Sequence, residues 1–321
     1  MDTSRRIGRL SVSAGSRPAW PAVLGVLAGV LIAGCGGVGI GPGEESGSAS
    51  VLVTRDFGRS EVREFEVDGV GPSTTVIRAL ESGASVETSY GGGFVEAIDG
   101  FRSGQGGPTL DWFYFVDGIE AEVGAADFTL APGDRVWWDL RQWGSSMYVG
   151  SVIGSYPAPL AGGYRGTEWT VSLTCRTDAT TCGLVSDEMV DDGIEFGEGE
   201  GGDRVEVVVG EWNRISTEHP ELSRPPSRSG VFARFAGPRG GLLLLDSAGE
   251  PVVEEDRGVG LIASVGGSGK PPTWFVTGTD RAGVRAAAAL LEPDRLARSY
   301  SVAALDGEAV RLPTEREAPV G

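Results

Sequence analysis

Histidine is almost missing from this chain: His219 is the only one among 321 residues. A histidine-based zinc site needs several metal-binding side chains to converge, so that class of chemistry has no support. A Ser-His-Asp catalyst could be built only around His219, in Thr217–Glu221, and no Gly-x-Ser-x-Gly nucleophile elbow accompanies it. Standing before Pro220, His219 reads as a surface loop residue. Gly-x-Gly-x-x-Gly and Gly-x-x-x-x-Gly-Lys-Ser/Thr are also absent, which removes the usual grounds for a nucleotide cofactor. Positive charge is in short supply, with 27 Lys and Arg against 45 Asp and Glu. Such a field repels phosphate and argues against nucleic acid or anionic lipid as partner. Cysteine is scarce too, limited to Cys35, Cys175 and Cys182.

What the sequence does hold begins at its N-terminus. Arg5, Arg6, Arg9 and Arg17 precede an uncharged stretch, Pro21–Ala33, that ends in small residues. A basic start, a short apolar core and a small-residue cleavage region make a secretory signal, and the core falls short of the about 20 apolar residues of a membrane span. Leu31-Ile32-Ala33-Gly34-Cys35 resembles the bacterial lipobox, with Ile32 where Leu is commoner. The resemblance implies removal of residues 1–34 and lipidation of Cys35, anchoring the protein to the outer face of the bacterial cytoplasmic membrane. Two acyl chains suffice for a stable anchor where one does not. Residues 35–50 are rich in Gly, Ser and Glu and read as a flexible tether. In an oxidising compartment Cys175 and Cys182 can close a small disulfide loop, although their spacing alone does not establish the geometry.

The remaining length accommodates two domains. In the first, residues 51–156, Val51–Phe57 and Glu61–Val67 alternate as strands with one buried face. Pro72-Ser-Thr opens a helix with the apolar stripe Val76, Ile77, Ala79 and Leu80, and Gly83 is expected to close it as a left-handed cap. Strands follow at Val86–Thr88, Phe94–Ile98, Trp112–Val116 and Arg135–Leu140, with a tight turn at Asp117-Gly118. A hairpin, one helix and several further strands predict an α+β domain of β-grasp type. The helix would cover one sheet face, leaving the other to be polar or covered by another domain or partner.

The succession Thr75–Leu80, Tyr90–Gly100, Trp112–Gly118, Gly124–Leu130 and Pro132–Trp138 resembles the transcobalamin C-terminal-like family, also catalogued as a domain of unknown function. It covers about 90 residues, and Asp117 stands where the family commonly has Asn. That family includes the corrinoid-capping domain of vitamin B12 carriers and a binding domain of bacterial surface proteins. The resemblance implies a ligand against loops and aromatic residues, the candidates being Tyr90, Gly91, Gly92, Phe94, Trp112, Tyr114 and Trp143. No histidine is placed to ligate cobalt. Trp112, Tyr114, Trp137 and Trp138 also fit a core role, because aromatic side chains dominate small cores by buried area.

Residues 157–164, rich in Pro and Gly, read as a linker. The second domain, residues 165–306, has strand patterns at Trp169–Cys175, Arg204–Trp212, Val231–Phe235, Leu242–Leu245, Val259–Val265, Trp274–Thr277 and Tyr300–Leu305. Helices are expected over Asp178–Val190 and Ala282–Leu291, and together these predict an α/β domain with a mixed sheet. Thr277-Gly-Thr-Asp280 reads as a helix cap, with Asp280 as N-cap, rather than as an anion site. The acidic run from Asp187 to Asp203 matches no EF-hand loop and reads as solvated. Residues 307–321 read as a disordered tail.

Together these features predict a non-catalytic surface lipoprotein that needs no cofactor. It would bind a small ligand, a corrinoid being the specific case, and pass it to a membrane transporter. The alternative is an envelope interaction protein that contacts another protein or a polysaccharide. An enzyme carried on the second domain ranks behind both.

Overall fold

The computed structural model describes residues 47–90, 93–197, 203–238 and 240–315. The expected signal peptide, Cys35, most of the tether and the last six residues lie outside these. Residues 43–321 form one compact unit.

The first half builds a five-stranded sheet. β1 (Gly47–Arg55) buries Ala49, Val51 and Val53 on one face and Thr54 on the other. It takes in the last four residues of the expected tether, 47–50, because Ala49 is needed in the core. β2 (Ser60–Val70) pairs antiparallel with it. After α1 (Val76–Gly83) come the short β3 (Val86–Ser89), β4 (Phe94–Ile98) and β5 (Phe101–Arg102), which form their own antiparallel sheet. β6 (Leu110–Val116), β7 (Ile119–Glu120) and β8 (Arg135–Gln142) complete the main sheet in the order β2-β1-β8-β6-β7. β1 and β8 run parallel at its centre, the β-grasp arrangement, with α1 packed into the core on one face. Asp117 and Gly118 make the expected β6–β7 turn, with φ of 50° and 78°.

Thr75 caps α1, its hydroxyl accepting from the Arg78 N–H at 3.4 Å. Gly83 is not the left-handed cap the sequence predicts. It ends the helix in helical conformation, and Ala84 follows extended with φ −136°. The glycine is required by space instead: a Cβ there would stand 2.3 Å from the Phe65 ring.

The second half holds β9 (Thr170–Arg176), α2 (Ala179–Asp191), β10 (Arg204–Glu211) and two single-turn helices, α3 (Trp212–Ile215) and α4 (Pro226–Ser229). β11 (Ala233–Phe235), β12 (Leu242–Leu245) and β13 (Pro251–Glu255) make a small antiparallel sheet. β14 (Gly260–Val265), β15 (Thr273–Gly278), α5 (Arg281–Ala288), α6 (Pro293–Leu296), β16 (Ser301–Leu305) and β17 (Glu308–Leu312) close the chain. The resulting six-stranded sheet, β17-β16-β14-β15-β10-β9, is mixed: β10 is parallel to both neighbours and the remaining pairs are antiparallel. Cys175 at the end of β9 is disulfide-bonded to Cys182 in α2. Among the described residues no helix is long and apolar enough to cross a membrane.

Two expected boundaries change. Residues 157–164 are not an exposed linker, since Leu160 and Tyr164 are buried in the core that also holds Val51 and Val171. The tail is ordered through 315: Asp306-Gly307 turns the chain at positive φ, and β17 pairs along β16.

β8 explains how the two halves meet. Six consecutive residues, Val136 to Arg141, are buried, so both faces of the strand are covered. Val136, Trp138 and Leu140 join the core beneath α1, whereas Trp137 packs with Phe57, Phe115 and Tyr300 in a second cluster. The sheet face left open by sequence reasoning is thus partly covered by the second half of the chain.

Candidate functional site

The strand β6, Leu-Asp-Trp-Phe-Tyr-Phe-Val, sends Trp112, Tyr114 and Val116 to the face shared with α1. Trp112 is buried, and its indole N–H donates to the Phe101 carbonyl at 3.1 Å. Tyr114 lies 4.9 Å from Trp138 between ring centroids, and its hydroxyl donates to the Val123 carbonyl at 2.6 Å. Burial pushes the Tyr114 phenol well above its ordinary range. Phe94, at the start of β4, is 41% exposed. Gly93–Val95, Trp112–Tyr114, Glu120, Ala121, Val123–Ala125 and Trp138 line a cleft of about 190 Å³.

The cleft therefore brings together three of the candidate ligand residues, Phe94, Trp112 and Tyr114. Tyr90 is 93% exposed and holds a left-handed backbone with φ 51°. Gly91 and Gly92 lie outside the described residues. Trp143 stands apart from the cleft, its indole N–H donating to Asp111 at 2.7 Å. Sequence reasoning missed Glu120, Val123 and Gly124, whose segment carries no aromatic or repeat signal.

Behind the cleft, on the opposite sheet face, sits a buried polar network. Asp139 accepts from the Thr54 hydroxyl at 2.6 Å, the Gly58 N–H at 3.2 Å and the Tyr300 hydroxyl at 2.9 Å. The Trp137 indole donates to Thr54 at 2.8 Å. Burial raises the Asp139 carboxyl, opposed by these donors and by Arg141. Arg141, fully buried, donates to the Ser146 and Met147 carbonyls at 2.8 and 3.0 Å and lies 3.8 Å from the Phe113 ring centroid. Glu120 is 3.6 Å from Arg141 and accepts from the Val149 N–H at 2.8 Å. Its carboxyl is raised by burial, against the pull of Arg141. The sequence offered one trace of this network, the polar residues Asp139 and Arg141 at alternate positions of an apolar strand.

Other readings resolve individually. His219 is not a surface loop residue: its side chain is 12% exposed, its Nδ1 lies 3.2 Å from Glu221, and its ring stands 5.2 Å from Phe275, edge to face. Pro220 opens a 3₁₀ turn over Pro220–Ser223 that tucks the imidazole inward. Asp280 caps α5, accepting from the Gly283 N–H at 2.9 Å, and its other oxygen accepts from Gly258 at 3.0 Å. Among the described residues no group of His, Cys, Asp and Glu is arranged to hold a metal ion. What the cleft offers chemically is aromatic surface, with the Glu120–Arg141 ion pair lying behind it.

Residues 73–142 match the family described as "Domain of unknown function (DUF4430)". That segment is similar to a DUF4430 domain. Its match begins after β2 and ends with β8, so it takes in every residue of the cleft. Among solved structures, similarity is found to a protein from Ruminococcus gnavus provisionally described as metal-binding. That match has 18% identity, covers 30% of this chain and 97% of that one, and gives a TM-score of 0.25. Haptocorrin in complex with Cbi is similar at 16% identity over 29% of this chain, with a TM-score of 0.23. The matched region spans 25% of the haptocorrin chain. No curated protein matches.

Proposed function

We propose that this protein is an exported, lipid-anchored, non-catalytic binding protein. Its DUF4430-like region would hold a small ligand with a flat or apolar face, a corrinoid being the specific form, and deliver it to a membrane transporter. The observation that carries this reading is the convergence of Trp112 and Tyr114 with half-exposed Phe94, next in the chain to the exposed Tyr90 turn. At about 190 Å³ the cleft is smaller than the 300–1,000 Å³ of an enclosing ligand pocket. The ligand would therefore rest against the cleft and the Tyr90 loop instead of being swallowed. Cys35 supplies the anchor in this reading, and no cofactor is required.

The test is titration of the full chain with cobinamide and cobalamin, followed by visible absorption and thermal melting. Binding at 100 times the Kd adds about 2.7 kcal/mol of stability. Tyr90→Ala and Phe94→Ala are expected to weaken it at least tenfold. No spectral or thermal response to either compound would remove the corrinoid form. For the anchor, Cys35→Ser should abolish incorporation of labelled palmitate; label retained by that variant would sink it. A second reading, an envelope interaction protein, is favoured by the exposure of Met147 and Tyr148, at 45% and 72%. It predicts that Tyr148→Ala disrupts a complex isolated by crosslinking on cells while leaving ligand titration unchanged.

A further inference from the structure

Most side chains lining the aromatic cleft are apolar, so the few polar atoms among them decide what it can recognise. Glu120 borders the cleft, but it stands opposite Phe115 and turns its carboxylate to Arg141 and the Val149 N–H, on the other sheet face. That leaves the polar side-chain atoms of Trp112, Tyr114 and Trp138. The Trp112 indole is committed to the Phe101 carbonyl. The Tyr114 hydroxyl donates to the Val123 carbonyl and keeps its oxygen lone pairs as acceptors. Burial raises this phenol, so it stays a neutral hydroxyl at ordinary pH. Trp138 pairs across the sheet with Tyr114 and shares the cleft face with Val136 and Leu140. Its indole N–H is buried and has no acceptor among the described residues.

A buried donor without an acceptor is rare, because it gives up its bond to water and receives none in return. The indoles of Trp112, Trp137, Trp143 and Trp212 all donate to an oxygen. Trp274 is a second buried indole without an acceptor, but it packs beside Tyr156 and does not line the cleft. Only at Trp138 does the unused donor meet a cavity that already gathers aromatic surface. The cleft therefore holds one spare donor, on Trp138, and one spare acceptor, on Tyr114. A carboxamide carries both complements, a carbonyl oxygen and an N–H, on one planar edge. An ester or ketone brings the carbonyl without the N–H. A carboxylate would enter against the field of a chain with net charge −18. The apolar remainder of the lining suits an apolar body behind the amide.

We propose that the cleft recognises a carboxamide borne on an apolar body, its carbonyl accepting from the Trp138 indole and its N–H donating to the Tyr114 hydroxyl oxygen. This rests on the cleft being a ligand site and adds the group that the ligand must present. The Trp138 N–H is closed off from solvent, so the ligand reaches it by parting the rim where the Gly93 and Gly124 backbones approach each other. Benzamide is the probe, with methyl benzoate and toluene as comparisons. In magnetic resonance spectra of the nitrogen-labelled full chain, the Trp138 indole signal is assigned by through-bond correlation to its own backbone. It should move downfield and saturate with benzamide. Methyl benzoate should bind about tenfold more weakly, the worth of one net hydrogen bond. Toluene should leave the indole signal in place. Tyr114→Phe keeps the ring and removes the acceptor, so benzamide should lose its advantage over methyl benzoate in that variant, with melting curves to confirm folding. A Trp138 signal unmoved by benzamide overturns the proposal, and so does equal movement with toluene, which would report ring contact alone. Equal binding of benzamide and methyl benzoate by the parent chain overturns it too. If cobinamide or cobalamin binds while benzamide leaves Trp138 unmoved, the cleft keeps its ligand role and the carboxamide assignment falls. If benzamide behaves as described and neither corrinoid binds, the corrinoid form falls and the carboxamide assignment stands.

Discussion

One face of the β-grasp sheet is covered by α1, which lies close in sequence, and carries Val51, Val53, Trp138 and Leu140. The other is covered by residues from beyond 150 and carries Thr54, Asp139 and Arg141 alongside Phe115 and Trp137. Apolar burial is non-directional and tolerates small shifts of a helix over a sheet. A network whose donors and acceptors come from positions 54, 58, 139 and 300 tolerates few docking geometries, because each misplacement leaves a buried polar group unpaired. The helical face therefore supplies stability at low specificity. The polar face spends stability to fix where the second half sits.

That contrast can be broken by substitution. The largest effect is expected at Asp139→Ala, which leaves the Gly58 N–H and the Tyr300 hydroxyl without their acceptor and removes a buried carboxylate that interacts with the charge of Arg141. A loss of about 4 kcal/mol is expected in denaturant unfolding. Leu80→Ala, in α1, should cost about 3 kcal/mol by leaving a cavity. If Leu80→Ala costs more than Asp139→Ala, the account of the polar face fails.

Asp117 gives the next effect and a pH signature. Burial first, and the neighbouring Asp134 charge second, raise its carboxyl from 3.8 to about 7, despite the hydrogen bond from the Arg135 N–H. The folded protein keeps this proton to about pH 7, whereas the unfolded chain releases it near 3.8. Its contribution to stability is thus complete below pH 3.8 and is lost as pH rises through 7. Asp117→Asn should flatten that decline and stabilise the protein by about 2 kcal/mol at pH 8, with the gain vanishing in acid. Unfolding curves across pH 4–8 would show this. Last, Tyr300→Phe keeps the ring but deletes one donor to Asp139, at about 1 kcal/mol. A double-mutant cycle with Thr54→Val would sharpen the comparison further, since coupling is expected within the network and none with Leu80→Ala.

Most long elements were legible because their signal is local. The alternation in β1, β6 and β10 and the apolar stripe of α1 need only neighbours a few residues away. β17 carries an equally local signal, since Asp306-Gly307 is the same turn pair as Asp117-Gly118, yet residues 307–321 read as a disordered tail. Residues 157–164 were misread for a different reason, since Pro and Gly describe a bent path and not whether Leu160 and Tyr164 along it are buried. At the cleft, the family resemblance pointed to Phe94, Trp112 and Tyr114. The polar network was beyond local reading, because Thr54 meets Asp139 across 85 positions and Tyr300 meets it across 161.

The parallel pairing of β1 with β8 has a practical consequence for anyone cutting this protein into pieces. The recognised family segment starts at residue 73, yet the strand that lies between β2 and β8 ends at Arg55. A fragment expressed from the recognised segment would begin without β1 and β2, two of the five strands of its own sheet. It would present the backbone of β8 as a raw edge and bare Trp137 and Asp139 to water. Such a piece should be sticky and poorly soluble, whereas one starting at Gly47 and running through β17 keeps both covers in place.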